Sequence, residues 1–295
     1  MKTNLFSKRV LWLMIPLLTI FSTNVWGAVN NGDLFERISA APAANDEVII
    51  VNSGETVAMS TTQNGNNRGQ TTITTSSHQY IYASANNVQV LTVSINSSKY
   101  SFYTVNGSST GYLQSPSDNN YLRTNATLDN KTKWTISVSS NVFTILNAAQ
   151  TSRYIAYNST SSIFSAYKSG QSKPYMYKKV MSAPTAVAAS SITSSGATIT
   201  ITDATNVNNY ELYYSTSSTA PTAGTTATTT ITSGKSKALT GLSASTKYYL
   251  WARAFSTSPA RKTGWVALSG SYFTTTSAGT SVSLTKAATT NGSLF

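Results

Sequence analysis

The sequence predicts an all-β chain of two domains, a barrel of repeated hairpins followed by an antiparallel sandwich. Three observations predict it. Apolar and polar residues alternate with period two in several short runs, the spacing at which a strand buries one face and wets the other. Thr, Ser, Tyr, Asn, Val and Ile dominate the composition, a mixture suited to strands and turns, and long helical periodicity is absent after the first residues. A hairpin pattern also recurs at matched spacing in the first half of the chain.

The elements follow in chain order. Lys2, Lys8 and Arg9 precede an apolar run from Val10 to Phe21, and Val25-Trp26-Gly27-Ala28 offers small residues at a cleavage point. Residues 1–28 therefore read as a secretory signal peptide. The run is shorter than the ~20 apolar residues of a bilayer-spanning helix, so the mature chain is expected to be secreted or at the cell surface, with no membrane span after cleavage. The full sequence of 295 residues includes no cysteine, which excludes disulfides and a cysteine-linked lipid. Stability must come from packed sheets.

Residues 29–181 make the first predicted domain. Gly111-Tyr112-Leu113-Gln114-Ser115 leads through a polar turn to Asn120-Tyr121-Leu122-Arg123, and Arg153-Tyr154-Ile155-Ala156-Tyr157 leads in the same way to Ser162-Ile163-Phe164-Ser165. Each copy follows a β-run, Tyr100-Ser101-Phe102-Tyr103 or Val142-Phe143-Thr144-Ile145. A third copy begins at Glu47-Val48-Ile49-Ile50-Val51, continues through Val57-Ala58-Met59 and turns in the Asn/Gly loop from Gln63 to Gly69. Three units of roughly forty residues, each able to bury its apolar face only against its siblings, imply a β-trefoil-like barrel. The alternative is an irregular barrel or sandwich with one duplicated hairpin pair. Recurrence marks Tyr112, Tyr121 and Tyr154 as core, whereas Tyr157 and Tyr167 are the candidates here for exposure and binding.

Val51-Asn52-Ser53-Gly54, Asn64-Gly65-Asn66-Asn67-Arg68-Gly69 and the ending Tyr175-Met176-Tyr177-Lys178-Lys179 resemble an accessory domain of secreted bacterial multidomain proteins. That resemblance implies neighbours such as nucleases, proteases or fibronectin type III modules. The Gln-x-Trp signature of lectin trefoils is missing, so no sugar-contact residue carries over.

Residues 182–276 make the second predicted domain. Ala197-Thr198-Ile199-Thr200-Ile201-Thr202 and Tyr210-Glu211-Leu212-Tyr213-Tyr214 alternate strictly between Ser, Gly and Asn clusters. Further on, Leu242, Tyr248, Leu250, Ala252 and Ala254 share one parity, and Tyr249, Trp251 and Arg253 the other, so a strand here buries the first set and exposes the second. The turn, tyrosine and strand from Leu242 to Ala254 resemble the E–F corner of a fibronectin type III domain, and the segment to about Thr275, with Tyr272-Phe273 in its last strand, matches such a module in length. The resemblance implies a β-sandwich with Tyr248 as its tyrosine corner. It departs from the family late in the second strand, where Ile199 and Ile201 are followed by Asp203 rather than a tryptophan.

In that family the third and sixth strands are neighbours, which sets Tyr213 beside Tyr249, Trp251 and Arg253 on one exposed face. Flat aromatics stack on sugar rings or anchor a protein, and Arg253 supplies directional donors, so an extracellular glycan or surface protein is the expected partner. The plainer reading is that these rings stabilise the sheet or pack on the adjacent domain.

Catalytic chemistry is scarce. The single histidine is His78, the acids number nine, and neither a metal-ligand cluster nor a phosphate loop is visible, so the chain is expected to carry no cofactor and no catalysis. The net charge of +12 permits attraction to polyanions, but no run of Lys or Arg exceeds two residues and no specific nucleic-acid signal appears. Residues 277–295 read as a flexible linker or the truncated start of a further domain. The function expected is a secreted non-catalytic binding or adhesion protein, or the accessory modules of a larger extracellular one. The alternatives are a fragment of a secreted hydrolase (nuclease, protease or glycosidase) and a polyanion or nucleic-acid binder.

Overall fold

The computed structural model describes residues 31–76, 80–82, 87–107, 109–203 and 209–279. The predicted signal peptide, His78 and residues 280–295 lie outside the described residues. Among those described, all regular structure is β-strand apart from one 3-10 turn, Asn130–Thr132.

In the first domain a four-strand pattern occurs three times: Glu47–Val51, Val57–Asn64, Asn67–Thr72 and Leu91–Asn96; then Lys99–Thr104, Tyr112–Gln114, Arg123–Asn125 and Trp134–Ser139; then Val142–Asn147, Tyr154–Asn158, Ile163–Tyr167 and Tyr175–Met181. The middle two strands of each unit pair as a hairpin. The fourth returns to the first, through Glu47 with Thr92, Trp134 with Tyr100, and the Phe143 N–H donating to the Pro174 carbonyl at 2.9 Å. Ser97-Ser98 and Ser140-Asn141 join successive units with φ of 49°, 61°, 50° and 67°, the left-handed backbone that a two-residue hairpin turn demands. Pairing runs from Glu47–Val51 through the outer hairpins and back by Leu91–Asn96, closing nine strands into a ring.

Inside lie Phe102, Trp134, Phe143, Ile145, Ile155 and Phe164, drawn from the second and third units, with Ile50 and Met59 from the first. The Trp134 indole N–H donates to the Leu113 carbonyl at 3.1 Å, so the largest core side chain leaves no orphan donor. A smaller core of Phe35, Ile49, Val51 and Tyr177 sits outside the ring. The strand Leu34–Arg37 covers it by pairing with Tyr175–Met181.

The second domain is a sandwich of two antiparallel sheets. Ala186–Ser190, Gly196–Thr202 and Ser236–Thr240 form one sheet, while Thr229–Ile231, Tyr210–Ser215, Lys247–Thr257 and Val266–Thr274 form the other. Alternate residues meet between them, among them Ile199, Ile201, Leu212, Leu250, Ala252 and Leu268. Tyr210, Tyr248 and Phe273 supply the aromatic part of this core, the last two stacked at 5.7 Å. The Ser243 N–H donates to the Tyr248 hydroxyl at 2.9 Å, which closes the corner expected of that tyrosine.

The two domains meet at backbone. The Gly264 N–H donates to the Gly32 carbonyl at 2.9 Å, and Arg261 pairs with Glu36 beside it. Glycine is required on both sides: a Cβ on Gly264 would stand 2.8 Å from the Gly32 Cα, and Gly32 itself has φ of +90°.

Candidate functional site

The outer face of the second sheet is built in rows. Register sets Glu211 beside Arg253, Tyr213 beside Trp251, and Ser215 beside Tyr249, while Val266–Thr274 adds Ala267 next to Trp251 and Tyr272 next to Tyr249. Ring centroids follow one another at 6.2 Å from Trp265 to Tyr213, 5.9 Å to Trp251, 6.4 Å to Tyr249 and 5.9 Å to Tyr272. The Lys247 ammonium caps this line, 4.1 Å from the Tyr272 ring. Such contacts are attractive without being directional enough to fix one partner.

The alternation expected of this strand is present, with Leu250 fully buried and Trp251 on the opposite face, yet that face is not open throughout. The connection 216–228 folds back over it. Arg253 holds the connection down: its Nη1 donates to the Ala223 carbonyl at 2.6 Å and its Nη2 to the Thr225 carbonyl at 3.2 Å, while Nε donates to Glu211 at 2.7 Å. The Trp265 indole N–H donates to the Thr222 carbonyl at 2.9 Å, and its ring lies 4.1 Å from the Arg253 guanidinium. Arg253 and Trp251, expected to be exposed, are therefore 1% and 6% exposed. Tyr213 and Tyr249 stay half-buried, and Tyr272, absent from the predicted set, is 45% exposed.

Where the connection stops short of the sheet, a cleft of about 270 Å³ remains, lined by Ala220, Pro221 and Ala223 on one side and by Trp251, Gly264, Trp265 and Ala267 on the other. The donors nearest to it, on Arg253 and Trp265, are committed to carbonyls and to Glu211. The cleft is thus apolar, small-walled and aromatic. Trp265 and Pro221 were not legible as site residues; the one signal was a tryptophan directly after glycine in the turn before the last strand.

Tyr157 and Tyr167 call for correction. They are 9% and 6% exposed, because the Tyr157 hydroxyl reaches Gln70 in the first unit while its ring lies 5.0 Å from Phe164, and the Tyr167 hydroxyl accepts from Asn158 at 3.2 Å. The matched tyrosines Tyr112, Tyr121 and Tyr154, expected in the core, are half-buried instead. Neither Tyr157 nor Tyr167 comes near the sandwich face through any contact described.

All nine carboxylates have structural partners. Asp33 and Glu47 share Lys179, Glu36 takes Arg261, Asp46 takes Lys178, and Glu55 takes Arg37 and the Tyr177 hydroxyl. Asp118 holds Arg153 and Lys168, Asp129 caps the 3-10 turn, Asp203 holds Lys235 and Tyr210, and Glu211 holds Arg253 and Lys262. Burial pushes the Glu211 carboxyl up, but hydrogen bonds from Lys262 and Arg253 outweigh it and hold the group below the usual carboxylate range. Arg68, wholly enclosed in the barrel among Ser60, Gln63 and Gln89, is pushed down to about 10 by desolvation. Among the described residues no group of three or more His, Asp or Glu is placed to hold a metal, and no helix is long and apolar enough to cross a membrane.

No family model matches the chain, and no curated protein matches it. Among solved structures, the lysenin pore aligns with 50% of this chain and 50% of its own at 15% identity and a TM-score of 0.36. A two-domain fibronectin type III segment from chicken tenascin aligns with 83% of this chain and 95% of its own at 12% identity and a TM-score of 0.27. The central fibronectin III array of RIM-binding protein aligns with 64% and 68%, at 14% identity and a TM-score of 0.24. The chain thus spans about half the length of the lysenin pore it matches, and its likeness to all three is coarse.

Proposed function

We propose that this protein is a secreted, non-catalytic binding module, a β-trefoil-like barrel carrying a fibronectin type III sandwich, and that the sandwich cleft between Trp251, Trp265 and Pro221 grips an apolar side chain on an extended segment of an extracellular protein. The cleft's chemistry carries this reading. Its floor is aromatic, its walls are Ala, Pro and Gly, and its nearest donors are consumed internally. A sugar needs directional partners for its hydroxyls, and Arg253, the donor expected for that task, is committed to Glu211 and two carbonyls. A proline or leucine side chain needs only shape and dry surface. A carboxyl doing acid–base work on a bound substrate must face that substrate, and none of the nine carboxylates lines the cleft, which supports the non-catalytic part.

The experiment compares binding of proline-rich and leucine-rich peptide arrays and of a glycan array to the purified mature chain and to Ala267→Leu. Ala267 is exposed on the cleft wall, so the larger side chain fills the cleft without entering a core. Peptide binding weakened about tenfold in the variant, the equivalent of ~1.4 kcal/mol, is expected. Glycan binding lost in the variant would transfer the site to sugars, and ligands indifferent to the substitution would remove it.

A further inference from the structure

A second cluster lies at the seam where the first and last strands of the barrel domain meet. Tyr175–Met181 runs between Glu47–Val51 and Leu34–Arg37, and three side chains converge across those strands. The Lys179 Nζ lies 2.9 Å from the Asp33 Oδ2 and 2.9 Å from the Glu47 Oε2. Asp33 is fully buried, and the side chains of Lys179 and Glu47 are 10% and 14% exposed. The other Asp33 oxygen, Oδ1, accepts the Ala183 backbone N–H at 2.8 Å.

Two carboxylates therefore face the Lys179 ammonium in a site of low exposure. Burial disfavours the ammonium, but Asp33 and Glu47 outweigh it and hold Lys179 protonated above its ordinary range, so its proton leaves only to a carboxylate already in contact with it. The arrangement also supplies each part of an acyl transfer. It has an amine in contact with a carboxyl, a second carboxylate on the same nitrogen, and an N–H aimed at the oxygen on which negative charge would develop.

We propose that Lys179 and Asp33 condense in the folded domain into an intramolecular isopeptide bond, with Glu47 as proton carrier and the Ala183 N–H as oxyanion donor. Glu47 takes a proton from the Lys179 ammonium, and the freed Nζ lone pair attacks Cγ of Asp33 while Glu47 passes that proton to Oδ2. The tetrahedral intermediate carries its negative charge on Oδ1, against the Ala183 N–H. Glu47 then takes a second proton from Nζ and delivers it to Oδ2, the Cγ–Oδ2 bond breaks, water leaves, and the carbonyl re-forms. Ammonium and carboxylate become amide and water, Glu47 ends as it began, and no oxidant or other reactant is consumed. One buried charge remains where there were three. In a chain without cysteine, the bond ties the start of the domain to its last strand and constrains the unfolded chain as a long-range disulfide does.

Intact-mass spectrometry of the purified, folded chain, with its N-terminus determined, tests this. The mass should fall short of the sequence value by one water, and a proteolytic digest should contain one branched peptide joining Asp33 to Lys179. Glu47→Gln, checked for native circular dichroism, should return the full mass, and Asp33→Asn should lose one ammonia instead. A folded wild-type chain at its full sequence mass, or a water loss without that branched peptide, would overturn the proposal. A bond formed undiminished in Glu47→Gln would overturn the part assigned to Glu47.

Discussion

The two domains enclose their aromatic residues by different means. In the barrel, Phe102, Trp134, Phe143 and Phe164 are shut in by strands of neighbouring units, and Tyr157 by a hairpin 87 residues distant in sequence. On the sandwich face, Trp251 is shut in by a connection with no strand of its own between residues 216 and 228, held by three hydrogen bonds from Arg253 and Trp265 to carbonyls. Strands enclose completely because every backbone group is matched to its neighbour, whereas a connection covers only where a side chain reaches up to hold it. The cleft lies where that hold stops.

The barrel stands to lose the most stability from a single truncation. Phe102→Ala leaves a hole that no loop can fill, and about 3–5 kcal/mol of stability should disappear; a denaturant titration reading barrel strands by circular dichroism would show it as a lower midpoint. On the sandwich, Arg253→Ala frees the connection but leaves Glu211 held by Lys262. A smaller loss of about 2 kcal/mol is expected, with tryptophan emission shifted to the red as Trp251 and Trp265 meet water. An unchanged emission would mean that the connection stays closed without the arginine.

Acid sharpens the same contrast with the smallest effect. A carboxylate depressed in the folded state adds stability that is complete above its unfolded value, about 4.3 for glutamate, and lost as pH falls through its lower folded value. Lowering the pH below about 4 should therefore loosen the connection over Trp251, while the barrel, whose depressed carboxylate Asp118 stands at the surface, keeps its circular dichroism. Tryptophan emission followed against pH checks this, and Glu211→Gln should flatten the transition.

Strand parity was open to reading wherever one face is buried. Leu250, Ala252 and Ala254 point inward as their alternation requires, Tyr248 makes its corner, and three hairpins stand where turns were read. Parity says which side a residue takes but not what later chain lies over that side. For that reason parity puts Trp251 and Arg253 on an open face, and the Ala220-Pro221 stretch that covers them carries no periodic signal. Tyr157 illustrates the same limit, since its hydroxyl reaches a hairpin of another unit, whereas Tyr167 is met by Asn158 of its own hairpin. The strand Leu34–Arg37 is likewise not legible in the sequence, because its pairing partner lies at the far end of the domain.

The glycine contact between Gly32 and Gly264 has a mechanical consequence. With two backbones touching and a hydrogen bond across them, tension applied at Trp265 has a short route into the strand Leu34–Arg37, in parallel with the covalent connection after Met181. A methyl group at either glycine would prise that route apart. A load drawn on the sandwich is then shared with the barrel at once, as in a beam bolted at two points rather than hinged at one.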